Sequence, residues 1–231
     1  MVVAADGGGT ARYFGADPLP ARTTLHRQIR TSVPLANRFF DAGLSAHYAY
    51  RHAESARMFR EAQRLDPRCV MCFVGEAIAL GPTIDASMSP ESDAESRHAI
   101  RQALQLVPYG DDGFGESAWV RAVAVRYIGR VGATRAELDS AYAGALRRLS
   151  DENPGDADAA TLAAEAMMIL SPYSYWSDAG TPRRGTRTIV ARLDRALRVA
   201  PGHVGACNLF VHVMEPVQSS PQCGGGKRGI D

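Results

Sequence analysis

The sequence predicts an all-α protein, an α-solenoid of antiparallel helix pairs, on three observations. From Ser32 onward, apolar residues recur with helical spacing in stretches of about 12–18 residues that proline and glycine separate. Short alternating runs rich in β-branched residues, which are typical of strands, are scarce. Similar residue combinations recur at the ends of the helices, which indicates a repeated structural unit.

The helices are expected in consecutive pairs. Ser32 can cap the first helix, with Pro34 in its first turn, and a second helix is expected to begin at His52. Asp66-Pro67 would then cap and open the third. The predicted pairs are 33–66, 68–107, 115–151 and 156–199, followed by a single helix at 202–215.

Two connections within the pairs are unusually long, residues 81–92 and 171–185. Loops of this length in a compact array are typically functional or disordered. Tyr173, Tyr175 and Trp176 lie in the second loop, where their rings could either cover a groove or fill the gap beside an enlarged turn.

The regions outside the helices lack periodicity. We expect a flexible leader over 1–24, a helical domain over 25–215 and a disordered tail over 216–231. The helix at 202–215 would have no second helix to complete its pair. We therefore expect a truncated last repeat, which could self-associate or be covered by a partner.

Composition excludes several classes of protein. The 231 residues include 26 basic and 25 acidic ones, and this balance gives little attraction to nucleic acid or to an acidic membrane surface. No apolar run reaches the roughly 20 residues that a membrane-spanning helix needs. The first residues do not resemble a signal peptide, so a cytoplasmic location is expected.

Four cysteines are too few for a disulfide scaffold in a chain of this length. Cys69 and Cys72 lie near a predicted helix N-terminus, where a lowered thiol pKa would suit a redox or metal role. No second cysteine pair completes a zinc site, so we expect both to be small buried hydrophobic residues.

The first pair has a recognisable repeat pattern. If Pro67 is the last position of a 34-residue unit, small residues fall where two antiparallel helices would approach each other and aromatic residues fall where they would fill the gap. The small residues are Gly43, Ser55 and Ala62, and the aromatic ones are Phe39 and Phe59. Phe73 and Ala77 follow Phe39 and Gly43 by 34 residues, and the second-helix ending recurs in IRQALQLVP and LDRALRVAP. This pattern resembles the tetratricopeptide repeat, which implies a right-handed superhelix that binds a protein or peptide on its concave face.

From about Leu25 to Glu215, the order of motifs also resembles one group of bacterial tetratricopeptide-repeat proteins. The stretches that carry the resemblance are FFDAGLSAHYAYRHAESARMFREAQRLDPRCVMCFVGEAIALGPTID, RAELDSAYAGALRRL, AATLAAEAMMIL, PYSYWSDAGTP and PGHVGACNLFVHVME. The group's polar motifs at these places imply a shared ligand or metal site. Here that site is expected to be altered, since several positions depart from the group's pattern: Arg51, Thr83, Asp85, Tyr173, Ser174 and Asn208.

The candidate partner-binding residues are His52, Asp85, Tyr175, Trp176 and His212. They lie in the polar motifs and in the long loops. Together they predict a scaffold whose concave face and 171–185 loop bind a protein or peptide, without a cofactor.

A metal-dependent enzyme is the alternative. Asn208, His212 and Glu215 share one helix face, and His52, Glu165 or Asp85 could add ligands across the groove. The proposed ligands of a divalent ion are His52, His212 and Glu215. Alternatively, His212 bonds a neighbouring helix and Glu215 is solvated. No Ser-His-Asp arrangement, dinucleotide fingerprint or phosphate loop is present.

Overall fold

A computed structural model of the chain describes residues 25–107 and 115–217. The expected leader and all but the first two residues of the expected tail lie outside this part. Within it the chain is all-α, and its one bridge of β type joins Trp176 and Pro182. The α-helices are α1 Pro34–Tyr48, α2 His52–Leu65, α3 Val70–Ala79, α4 Pro90–Leu106, α5 Glu116–Tyr127, α6 Arg135–Glu152, α7 Ala157–Ile169, α8 Thr186–Val199 and α9 Val204–Met214, followed by the short 3-10 helix Glu215–Val217.

The helices pack in the predicted pairs, with each helix against the next along the chain. The first interface depends on glycine, as the repeat pattern predicts. A Cβ atom built on Gly43 would lie 2.9 Å from the Phe59 ring, and one on Gly75 would lie 2.4 Å from it. These two glycines let α1 and α3 approach the buried ring of α2 from both sides.

Two predicted helix caps are wrong. Helix α1 begins at Pro34, but its N-cap is Val33, because the main-chain N–H of Val33 donates to the Thr31 hydroxyl and Ser32 makes no cap. Helix α3 begins at Val70 rather than at Pro67, since Asp66 is instead the C-cap of α2.

The N-cap of α3 is Cys69, whose Sγ accepts from the main-chain N–H of Cys72. Both cysteines are completely buried, as expected for hydrophobic residues. They are also joined to each other in a disulfide, which the sequence did not lead us to expect.

Helix α9 packs against α8, α7 and, at the other end of the array, α1. The Asn208 side chain donates to the main-chain carbonyl of Tyr48 at 2.9 Å. A Cβ atom on Gly205 would lie only 2.3 Å from the Tyr48 ring. The first and last described helices therefore touch, so the expectation of an uncovered terminal helix is wrong for the face of α9 that meets α1.

The long connections are 80–89, between α3 and α4, and 170–185, between α7 and α8. Tyr175 from the second connection and Ile84 from the first lie in one apolar cluster with residues of α7, α8 and α9. None of the described helices combines the length and the apolar character that crossing a bilayer requires.

Candidate functional site

A non-helical stretch of the chain, residues 25–33, lies against the first helices of three pairs; we call it the inner segment. It contacts α1, α5 and the N-terminal end of α7. Ile29 is its apolar anchor and is 4% exposed within the core. Its polar contacts involve its main chain, the Arg27 side chain, and the side chains of His26 and Thr31, which bond Asp41 and Asp66.

Side chains of the helices bind the main chain of the inner segment. The Asp41 carboxylate accepts from the N–H of Arg27 at 3.0 Å, and the Asn37 amide donates to the carbonyl of Arg27 at 3.0 Å. Glu116 accepts from the N–H of Arg30 at 2.7 Å. These bonds do not depend on which side chains the bound segment carries, so the same groups could bind the main chain of another peptide.

The Arg27 side chain fills a pocket formed by Trp119, Asp156 and Asp158, which we call the arginine pocket. Nη1 of Arg27 donates to Oδ1 of Asp156 and Nη2 donates to Oδ2, each at 3.0 Å, and Nη1 also donates to Asp158 at 3.0 Å. The guanidinium carbon lies 4.7 Å from the centre of the Trp119 ring. Bidentate carboxylate contact and stacking on an aromatic face both favour arginine over lysine. Burial opposes the charge, yet the two carboxylates raise the pKa of Arg27 above its ordinary value.

Asp158 connects the arginine pocket to two further helices. Besides Arg27, it accepts from the Tyr48 hydroxyl of α1 at 2.7 Å, and His203 Nε2 lies 3.0 Å away. The other ring nitrogen of His203 accepts from the N–H of Ala206 and so caps α9. Burial opposes ionisation, but His203, Arg27 and Tyr48 hold the pKa of Asp158 down at about 2. One carboxylate thus joins α1, α7, α9 and the inner segment.

An open cleft of about 930 Å³ adjoins the arginine pocket. The start of the inner segment, the turn between α6 and α7 and the turn between α8 and α9 form its walls. Its lining includes Glu152, Asp156 and Asp158, beside Pro154 and Pro201. The cleft therefore offers a partly acidic surface that continues beyond Arg27.

A second polar site, the histidine–tyrosine cluster, consists of His47, Tyr50, His52, Glu165 and His212. His47 Nε2 lies 3.1 Å from the Glu165 carboxylate, and the His47 and His52 rings are 5.1 Å apart between centres. The Tyr50 ring packs edge-on against His52 at 6.3 Å and against His212 at 5.5 Å. Tyr50 thus lies between the two histidines that the sequence singled out.

The charges in this cluster are shifted by their neighbours. Burial opposes ionisation of Glu165, but His47 and, more weakly, His52 keep the pKa of this carboxyl below its ordinary value. Burial and the adjacent His47 lower the pKa of His52, although Glu165 and Asp85 oppose that shift. Burial and His47 thus favour the neutral form of His52.

The backbone is strained at Tyr50 and Tyr173, the two non-glycine residues of the described chain with positive φ, at 57° and 56°. Tyr50 follows the α1 C-cap in the left-handed conformation, where glycine is usual. The N–H of Arg51 bonds the carbonyl of Ala46 and that of Tyr50 bonds the carbonyl of His47, which is a Schellman motif. A tyrosine here costs about 1–2 kcal/mol relative to a right-handed conformation. Strained residues of this kind cluster at ligand and switch sites.

The two long loops meet beside this cluster. The Tyr173 hydroxyl donates to Asp85, which ties the second loop to the first. Trp176 is half-buried, and its indole N–H donates to the carbonyl of Val213 at 2.5 Å. Tyr175 is only 3% exposed, so it fills the gap beside the turn instead of offering a ring to a partner.

The structure brings His52 and His212 into contact with the same Tyr50 ring and places Asp85 near enough to act on the pKa of His52. Asn208 is used in a bond to α1, as described above. In residues 25–107 and 115–217, no three histidine, cysteine or acidic side chains lie where they could hold a metal ion. His52, His212 and Glu215 thus do not form such a group.

Three buried polar atoms of the cluster have no hydrogen-bond partner among the described residues: His47 Nδ1, Tyr50 Oη and His52 Nδ1. They lie within six residues of sequence, at the end of α1 and the start of α2. Such atoms are costly to leave unpaired, which marks this junction as a place where a water molecule or a ligand group would bind.

Sequence reasoning missed the inner segment and the arginine pocket. The available signal was the run LHRQIR, which has charges and no helical period although it immediately precedes a helix. Neither a protein-family model nor any curated protein sequence matches this chain.

Proposed function

We propose that the protein is a tetratricopeptide-type scaffold that binds a non-helical segment of another protein or a peptide. Its binding surface is the face of α1, α5 and α7 that holds the inner segment. The sequence pattern of the first pair and the stacking of successive pairs support the repeat type. A contribution of the 170–185 loop, with Trp176, His52, Asp85 and His212, belongs to the same proposal.

One observation carries this function. Asn37, Asp41 and Glu116 bond main-chain groups of a segment that is not part of any helix pair. Hydrogen bonds to the peptide main chain for affinity, together with pockets for selected side chains for specificity, are one established way of binding an extended peptide. The inner segment shows that a stretch of ordinary polypeptide fits this face.

An array of seven-residue peptides of varied composition tests the proposal. The inner segment must be loosened while the binding groups stay intact, which Ile29→Ala achieves, since it shortens the most buried apolar side chain of the segment and alters none of the binding groups. We expect the Ile29→Ala chain to retain peptides that the unaltered chain retains weakly. Adding Asn37→Ala should weaken that binding about fivefold, because the carbonyl of the bound residue loses its donor.

The outcome that would contradict the function is equally direct. If the Ile29→Ala chain is folded by circular dichroism and retains no peptide, the face does not bind peptides. If the affinity is unchanged when Asn37→Ala is added, the peptides bind elsewhere. Val131→Ala is a matched control. It also shortens an apolar side chain, but Val131 is 98% exposed and not packed in the core like Ile29, so peptide binding should not change.

A metal-dependent activity is the second prediction from the sequence. One contact favours it: Glu165 binds one ring nitrogen of His47, an arrangement that orients histidines toward metals. The ligand set does not fit, however, since no group of three suitable side chains is present among the described residues. Titration calorimetry with Zn²⁺ tests it, and a His52→Gln variant separates binding in the cluster from binding elsewhere.

A further inference from the structure

We propose that the partner segment carries an arginine that enters the arginine pocket, and that the inner segment blocks this pocket in the free chain by presenting Arg27. This inference rests on the proposed function and names its partner class and its regulation. The contacts of Arg27 define the chemistry, and the attachment of the inner segment to its own scaffold defines the competition.

The pocket is selective for a guanidinium group. Asp156 takes both terminal nitrogens in a fork, Asp158 takes a third bond, and Trp119 covers the flat face. A lysine ammonium has the charge but neither the planar shape nor the paired donors. The side chain of Arg27 is only 16% exposed, so an incoming arginine would be shielded from water to the same degree.

The carboxylates also require a cation. The side chains of Asp156 and Asp158 are 19% and 13% exposed, and His203 is the other basic group that bonds Asp158. If Arg27 left the pocket with no replacement, two partly buried carboxylates would lose their main counter-charge. A partner therefore exchanges one arginine for another, which keeps the electrostatics unchanged.

The inner segment is suited to leave. Its described bonds are made mainly by side chains of the scaffold and not by a helix or sheet of its own. Segments with few apolar contacts open at a lower free energy than the whole protein. Ile29 is its one buried residue, and the partly exposed Leu25 also packs against the core. The cleft beside Leu25 and His26 gives room for the flanking residues of a partner.

Tethering gives the inner segment a large advantage. A short tethered ligand acts at an effective concentration of about 1 mM, so it weakens a competing peptide by roughly the ratio of that concentration to the intrinsic dissociation constant of the segment. Removing the Arg27 side chain deletes three charge-assisted bonds of the inner segment, and the loss of even one is worth about tenfold, so an arginine peptide should bind at least tenfold more tightly.

Fluorescence anisotropy with the full chain tests the inference. The probe is a labelled peptide with the sequence of residues 25–31, Leu-His-Arg-Gln-Ile-Arg-Thr, together with versions that have lysine or alanine in place of the first arginine. The chains are the unaltered protein, Arg27→Ala and Arg38→Ala. Arg38 is an exposed arginine on α1, so its variant controls for the loss of one positive charge.

We expect Arg27→Ala to bind the arginine peptide at least tenfold more tightly than the unaltered chain and Arg38→Ala do. The lysine peptide should bind at least fivefold more weakly, and the alanine peptide more weakly still. If Arg27→Ala does not fold, Ile29→Ala replaces it, because that change loosens the inner segment and leaves the pocket intact.

The failures are distinguishable. Equal binding of all three peptides to Arg27→Ala would overturn the arginine requirement and leave the scaffold function standing. Equal affinity of the unaltered chain and Arg27→Ala for the arginine peptide would overturn the blocking role of the inner segment. If folded Arg27→Ala and folded Ile29→Ala bind no peptide at all, the proposed function itself fails.

Discussion

The contact between the first and last described helices predicts the effect of Gly205→Ala. A Cβ atom at this position would lie 2.3 Å from Cδ1, 2.5 Å from Cγ and 2.8 Å from Cε1 of Tyr48. Carbon atoms in favourable contact are about 3.5–4.0 Å apart, so the overlap exceeds 1 Å. Tyr48 cannot turn away easily, since its hydroxyl bonds Asp158 and its ring packs against His203.

The variant must therefore move α9 away from α1. Overpacking of this kind costs about 1–3 kcal/mol, and the bond from Asn208 to Tyr48 contributes about 1 kcal/mol more. Alanine regains up to about 1 kcal/mol through its helix propensity. The net loss is about 2 kcal/mol, which for a protein of this size lowers Tm by roughly 4–8 °C.

Urea unfolding followed by far-ultraviolet circular dichroism measures this loss, with Gly144→Ala as the matched control. Gly144 is also a helical glycine, but the nearest atom to its added Cβ would be a terminal nitrogen of Arg148 at 3.8 Å. Gly144→Ala should therefore stabilise the chain by about 0.5–1 kcal/mol. If Gly205→Ala were as stable as Gly144→Ala, the close contact between α9 and α1 would be absent.

Three further predictions follow from the same contacts. Asp158 has a folded pKa of about 2 against an ordinary 3.8, so it contributes about 2 kcal/mol of stability above pH 4 that is lost as the pH falls toward 2. In Asp158→Asn, the free energy of unfolding measured with urea should therefore depend less on pH over this range. The same pH dependence as in the unaltered chain would contradict the low pKa of Asp158. At Tyr50, glycine should be more stable than alanine by about 1 kcal/mol in thermal unfolding, because φ is positive there; the reverse order would exclude the left-handed conformation. Trp176→Phe removes the donor to the buried Val213 carbonyl and should cost about 1–3 kcal/mol in the same assay, whereas a neutral result would mean that the bond is absent.

The helix pairs could be predicted because their signals are local. Apolar spacing, small residues at helix contacts and proline-containing turns all lie within one helix pair, and the observed bounds follow them closely. The caps failed because they depend on competition among neighbouring groups. Near α1, the N–H of Val33 bonds the hydroxyl of Thr31, and Ser32 makes no cap. Asp66 ends α2 as its C-cap and therefore does not begin α3.

The arginine pocket could not be predicted because its parts are distant in sequence. Arg27 meets Asp156 and Asp158 across 129 and 131 residues, in a chain where arginine supplies nearly all the positive charge. The histidine–tyrosine cluster was found in part, since His52, His212 and Glu165 were candidates for one site. His47 and Tyr50 were missed because, at the end of α1, the sequence alone gives them the appearance of ordinary packing residues.

The proposed selectivity for arginine has a physical basis in the position of Asp158. The same carboxylate bonds Arg27 of the inner segment, Tyr48 of α1 and His203 at the start of α9. A bound segment without a guanidinium would leave Asp156 and Asp158 without their main counter-charge. Because Asp158 also bonds Tyr48 and His203, this loss would weaken the contact between α1 and α9. A segment with arginine restores both the charge balance and the helix contact. The two carboxylates need a guanidinium both to stabilise the fold and to hold a bound segment. This shared need is a physical reason for the chain to place Arg27 in the pocket when no partner is bound.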